Sequence, residues 1–122
     1  MKTDHSFVTG RLKSFKFAIK GAYKLVTTEH SIMVQSSLAV LLIFLGFYVG
    51  ISRTEWMLQT LACGLVLGIE GLNTAVEKIA DFIHPDYHKK IGFIKDIAAG
   101  AVCFAAITAV AVGLLIYLPY FI

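Results

Sequence analysis

The chain has 122 residues, of which 57% are hydrophobic and only 16% charged, and its mean hydropathy is +0.76. That length allows one domain without a second core, and so few polar residues cannot clothe a soluble domain, which leaves an integral membrane protein. The net charge of +3 does not point to nucleic acid, because the basic residues crowd ahead of the first apolar run, where Lys and Arg set topology and meet anionic head groups.

The first thirty residues carry Lys2, Arg11, Lys13, Lys16, Lys20 and Lys24 with no long apolar region and no small-residue cleavage site, so the N-terminus is expected to be retained. Val8, Leu12, Phe15, Ile19, Ala22 and Val26 recur at steps of three and four beside a face of lysines. This predicts an amphipathic helix over about 6–28, lying at the membrane surface.

Two stretches, Ser31 to Ser52 and Ile97 to Ile122, contain no formal charge, and both exceed the roughly 20 residues that a span needs. They predict spans over about 32–50 and 97–118, with a third over about 56–77 opened by Trp56. The fold class is therefore all-α: a surface helix and three transmembrane helices in a single domain, 1–122. Gly64 and Gly68, Gly71 and Ala75, then Ala101, Ala105, Ala109 and Gly113 stand at steps of four, and such stripes let helices approach within the chain or between copies.

Gly50, Ser52 and Arg53 supply the first exit turn, and Pro85 ends the second helix near Ile83. The N-terminal segment is basic, the connection at Arg53 and Glu55 is balanced, the segment Lys78 to Asp96 holds four lysines and the C-terminal tail is uncharged. That distribution puts the N-terminus in the cytoplasm and the C-terminus outside. Cys63 and Cys103 fall inside spans without metal-ligand spacing, so neither a disulfide nor a zinc site is expected.

The middle span is the exception among three apolar runs. Glu70, Asn73, Glu77 and Asp81 are three, four and four residues apart, within an arc of about 80° on one helix face. A carboxylate in a span costs about 2.5–3.5 kcal/mol even on permissive scales, so several on one face point to function. Carboxylates at a helix end suit Mg²⁺, which takes one or two of them together with phosphate oxygens. Glu77 sits at the interface, and Glu29, just before the first span on the same side, is its natural fellow ligand. Glu70, deeper and partly desolvated, suits a general base acting on a poorly acidic hydroxyl. Lys95 is placed to neutralise nucleotide phosphates and Asp96 to orient it, while no GxxxxGK[ST] occurs, so a nucleotide site here is not a P-loop. The chemistry indicated is phosphoryl transfer at a membrane surface.

The run Glu70-Gly-Leu-Asn73-Thr-Ala-Val-Glu77 with Asp81, then Asp86-Tyr87-His88, then Lys95-Asp96-Ile-Ala-Ala-Gly-Ala, closely resembles the signature of the prokaryotic diacylglycerol kinase family, which includes the undecaprenol kinases. The likeness extends from Ser14-Phe15, Ala18 and Gly21 through Glu29 to the last span. It implies a homotrimeric bacterial inner-membrane kinase that transfers the γ-phosphoryl of MgATP to a lipid alcohol, either diacylglycerol, giving phosphatidate, or undecaprenol, giving undecaprenyl phosphate. Carried over by position, Glu70 is the catalytic base at the lipid hydroxyl, with Asn73 beside it. Glu29 and Glu77 are the Mg²⁺ ligands that face ATP, and Asp86, Tyr87, His88, Lys95 and Asp96 contact the nucleotide. Phe17 stands where some members have Tyr, leaving a ring to stack on adenine. Two departures are Gly10, where some relatives carry Arg, and the stretch His30 to Gln35, which lacks the Asn and Arg that often follow Glu29. His84 to His88 and Ala98-Ala-Gly-Ala look closer to the undecaprenol kinases.

Two other classes fit parts of the pattern. A non-catalytic membrane scaffold would use the acidic face as a polar seam, satisfied by Lys78 or a partner helix. A proton relay would need the ladder to cross the membrane, yet no ionisable residue stands between Glu70 and Glu55.

Overall fold

The computed structural model describes residues 4–122, with side chains from residue 6 onward; Lys2 lies outside the described residues. They form α1 (Asp4–Thr28), α2 (His30–Val49), α3 (Arg53–Ile83) and α4 (Lys89–Phe121), and no strand occurs among them. α2 and α4 are long and apolar enough to cross a membrane. The expected middle span falls within α3, whose acidic face separates it from the other two. At 31 residues α3 is about 46 Å long, well beyond a hydrocarbon core of about 30 Å.

Each junction reflects the residues that make it. α1 and α2 are separated by Glu29 alone, whose extended backbone (φ −101°, ψ 118°) turns the chain. Glu29 N–H still bonds Leu25 O at 3.3 Å, and Glu29 O accepts Met33 N–H at 2.9 Å. Its carboxylate makes no capping bond and is left for other partners. α2 ends at Gly50, the one described residue with positive φ (78°), so that Gly50 and Ile51 N–H both reach Gly46 O, at 2.9 and 3.1 Å. Ser52 and Glu55 then close a capping box at the start of α3: Ser52 N–H donates to Glu55 Oε1 at 2.9 Å and Glu55 N–H to Ser52 Oγ at 3.2 Å.

This turn is locked from two sides. Trp56 lies over Gly46 so closely that a Cβ there would stand 2.7 Å from Trp56 Cη2. Gly46→Ala is expected to displace the indole and destabilise the chain by about 1–3 kcal/mol, read as a lower melting temperature in detergent. Tyr120 near the end of α4 donates to Glu55 Oε1 at 2.5 Å. That bond, with those from Ser52, holds the Glu55 carboxyl below its usual range. A carboxyl lowered by folding stabilises above its unfolded pKa and loses that contribution as pH falls through the folded value. Melting temperature should therefore drop below about pH 4.5, and Tyr120→Phe should flatten part of that drop.

Helices α3 and α4 form the main packed pair, and the core cluster of Ile51, Ile116 and Tyr117 sits near the α2–α3 turn with Leu42, Leu45, Val49, Trp56 and Val112 around it. A polar knot runs through this apolar cluster. The Tyr117 hydroxyl lies 2.5 Å from Gln59 Oε1 and 3.3 Å from Leu42 O, and Gln59 Nε2 donates to the same carbonyl at 3.2 Å. All three helices are tied at one point, and Tyr117→Phe should cost about 1–2 kcal/mol by stranding Gln59.

Glycines take unequal parts in the packing. Gly71 meets Leu25 of α1, where an added Cβ would lie 3.1 Å from Leu25 Cδ1, but nothing stands within 4 Å of one at Gly64, Gly68 or Gly113. Of the predicted stripes, Gly71 and the buried Ala105 are therefore used inside one chain, and Gly64, Gly68 and Gly113 are not. Large apolar side chains, Phe44, Phe47, Leu61 and Leu115 among them, also face outward, as they do on helices that are apolar all round.

At the other end α3 stops at Ile83 as Pro85 requires, with His84 N–H bonding Ala80 O at 2.9 Å. α4 begins at Lys89, eight residues ahead of the expected span, which places Lys95 and Asp96 in its second turn.

Candidate site on the acidic face of α3

Every residue of the predicted ladder lies on α3, but each meets a different neighbour. Glu70 is buried, at 8% exposure, and Gln35 Nε2 of α2 donates to its Oε2 at 3.3 Å. One turn on, Asn73 Nδ2 donates to Glu77 Oε1 at 3.4 Å, so the amide and the carboxylate form an i,i+4 pair on one face. Glu77 is exposed and stands about 10 Å along the axis from Glu70. Beyond it, Asp81 Oδ1 accepts from Lys95 Nζ of α4 at 2.5 Å.

Glu29, at the break between α1 and α2, pairs with Lys78 at 3.4 Å. The junction carboxylate is thus tied to α3 one residue beyond Glu77. Lys95 departs from expectation, since its partner is Asp81 and not the adjacent Asp96. The reason is helical geometry: consecutive residues point about 100° apart, and Lys95 faces α3 while Asp96 is exposed.

The loop residues form a second group. His88 caps α4, its Nδ1 accepting Lys90 N–H at 3.1 Å, and its ring meets His84 edge-on at 5.1 Å. The Tyr87 ring lies on Gly92, where a Cβ would be 3.3 Å from Cε2. Tyr87, Lys89, Lys90 and Asp96 border an open cleft of about 920 Å³, so two of the predicted nucleotide contacts share a cleft with two lysines. Phe17 stands 68% exposed on α1 and does not line that cleft, and Asp86 is exposed in the loop with its carbonyl 2.6 Å from His84 Nδ1.

An apolar groove of about 350 Å³ runs between α2, α3 and α4, from Gln35 to Tyr117 past Leu42, Leu67 and Leu114. Gln35 Oε1, Ser36 Oγ and Asn73 Oδ1 are buried without hydrogen-bond partners. No three His, Cys, Asp or Glu side chains converge on one point among the described residues. The anionic groups that α3 and the α1–α2 junction offer a cation are nevertheless both carboxylates, that of Glu77 and that of Glu29, the latter held at 3.4 Å by Lys78. That set fits a hard divalent cation such as Mg²⁺, which completes its shell with water and phosphate oxygens.

Gln35 joins the site without having been expected there. The available signal is its place as the one side-chain amide in the charge-free run from Ser31 to Ser52.

A sequence model of the family described as prokaryotic diacylglycerol kinase matches residues 16–117. The undecaprenol kinase of Bacillus subtilis (strain 168) is 38% identical over 107 residues, covering 88% of this chain and 87% of the relative. The diacylglycerol kinase of Haemophilus influenzae is 31% identical over 98 residues, 80% of this chain and 83% of the relative. That of Synechocystis sp. is 33% identical over 109 residues, 88% of this chain but 62% of a longer relative.

Proposed function

Because the chain belongs to the prokaryotic diacylglycerol kinase family and is a membrane lipid kinase, we propose that it transfers the γ-phosphoryl of MgATP to the hydroxyl of a long-chain membrane alcohol, with undecaprenol ahead of diacylglycerol. The observation that carries the reading is the environment of Glu70. Glu29 and Asp81 each pair with a lysine, as a structural seam would have them. Glu70, buried among apolar helices, has the neutral amide of Gln35 as its partner and no cation within ion-pair distance among the described residues. A buried carboxylate without a counter-ion is poor glue between helices, and its carboxylate oxygen is free of any cation that would compete for a substrate proton.

In this reading the lipid enters sideways, with its chain against apolar helix faces and its hydroxyl at Glu70. Glu70 takes the hydroxyl proton as the lipid oxygen attacks the γ-phosphorus and ADP leaves. Glu29 and Glu77 are the residues that would hold Mg²⁺, which supplies charge neutralisation at the phosphates when bound. Lys95 turns from Asp81 to the phosphates, and Tyr87, His88, Asp86 and Asp96 frame the nucleotide, with Phe17 reaching adenine. α3 is the middle one of three transmembrane helices, α1 rides on the cytoplasmic surface of the inner membrane, and the C-terminus lies outside. Three copies pair the unused stripes at Gly64, Gly68 and Gly113.

The relative named for undecaprenol shows 38% identity, against 33% and 31% for two named for diacylglycerol, which sets the order of substrates to test. The experiment offers purified protein in vesicles Mg²⁺ and γ-labelled ATP with either lipid alone. Label entering undecaprenol supports the reading as stated, and label entering diacylglycerol reverses the order. Label in neither lipid from folded protein would sink it.

A further inference from the structure

Resting on the reading of Glu70 as base, the geometry points to Gln35 as a positioning residue that holds that carboxylate in its working orientation. A side-chain amide inside an apolar helix is expensive unless it finds a partner. Gln35 spends its donor on one atom, Glu70 Oε2, at 3.3 Å, a long bond of the kind that resting catalytic contacts often show before substrate tightens them. An ionised carboxylate can only accept, so the amide must turn Nε2 toward it, and Gln35 Oε1 is left buried without a partner. Leaving an acceptor stranded is unfavourable by itself. The amide is therefore oriented for Glu70 and for no other described group.

The chemistry of this contact suits a base in three ways. The partner is neutral, so it orients the carboxylate without locking it into an ion pair. It engages Oε2 alone, which leaves Oε1 for the proton of the acceptor hydroxyl. It also sits at one end of the apolar groove, where Gln35 and Leu67 are lining residues, and Glu70 follows Leu67 by about one turn of α3. In the transfer step the O–H proton goes to Glu70 Oε1, the lipid oxygen bonds the γ-phosphorus, and the bond to the bridging oxygen of ADP breaks with its electron pair. Gln35 gains and loses no proton.

The test measures lipid phosphorylation in vesicles for wild type, Gln35→Met, Gln35→Asn, Glu70→Gln and the Gln35→Met/Glu70→Gln double variant. Met keeps the length without the donor, and Asn keeps the amide but is one methylene too short to reach. Both single Gln35 variants should lose about 10- to 100-fold in kcat while KM for ATP stays within about twofold, the mark of a misplaced base. The double variant should fall no further than Glu70→Gln alone, because a residue acting through Glu70 has nothing left to position. Full kcat in both Gln35 variants would overturn the positioning role while leaving the kinase reading intact. So would a further additive loss in the double variant, or a fall in kcat matched by a lower folded fraction in thermal melts. An active Glu70→Gln enzyme would instead remove the parent reading, and this inference with it.

Discussion

Glu70→Gln is expected to abolish lipid phosphorylation while leaving the protein folded and inserted. The substitution keeps size and hydrogen-bonding capacity, and it removes a charge that no lysine or arginine neutralises among the described residues. A positioned general base contributes about 10²- to 10⁴-fold, so turnover should fall into that range or below detection. The melting temperature should hold or rise, because a buried carboxylate is replaced by an uncharged amide. A scaffold that uses the acidic face as a seam makes the opposite forecast: function survives and stability responds. Measuring labelled lipid and thermal unfolding on the same preparation separates the two, and full turnover would end the kinase mechanism proposed for this residue.

Glu77→Gln is expected to lower turnover by about 10²-fold at ordinary Mg²⁺, the scale of losing one charge stabiliser at a transferring phosphoryl group. Asn73 already holds Glu77 Oε1, so the isosteric amide preserves the helix face while removing the anionic oxygen that a hard cation requires. Raising Mg²⁺ should recover part of the loss, as a shift in the metal dependence and not in the KM for lipid. If the Mg²⁺ titration of the variant overlays that of wild type, Glu77 is no metal ligand.

Much of the fold is legible in the sequence because its punctuation is chemical. Pro85 stops α3 where an absent N–H and a crowded preceding residue must stop it, and Gly50 marks the one left-handed turn among the described residues. The ladder from Glu70 to Asp81 is legible because helical periodicity fixes the face before any neighbour is known. Which neighbour each carboxylate meets is not legible. Lys95 choosing Asp81 over Asp96, and Gln35 reaching Glu70, depend on how α2 and α4 rotate against α3, and apolar helices leave that rotation weakly encoded. The knot of Gln59, Tyr117 and Leu42 O escapes a sequence reading for the same reason, since one of its members is a backbone carbonyl that no residue type reveals. The small-residue stripes mark close-approach surfaces in kind, but the chain alone uses Gly71 and Ala105 and leaves Gly64, Gly68 and Gly113 open.

Glu29 is both the whole link between α1 and α2 and the carboxylate held by Lys78. A longer loop would let α1 settle at any angle without disturbing α2 or the acidic face. With a single extended residue, the tilt of α1 has nowhere to go except into the φ and ψ of Glu29, and so into the direction in which its carboxylate points. If α1 rides on the membrane surface as proposed, the thickness and head-group charge of the bilayer become a mechanical input to the acidic face, transmitted by one residue.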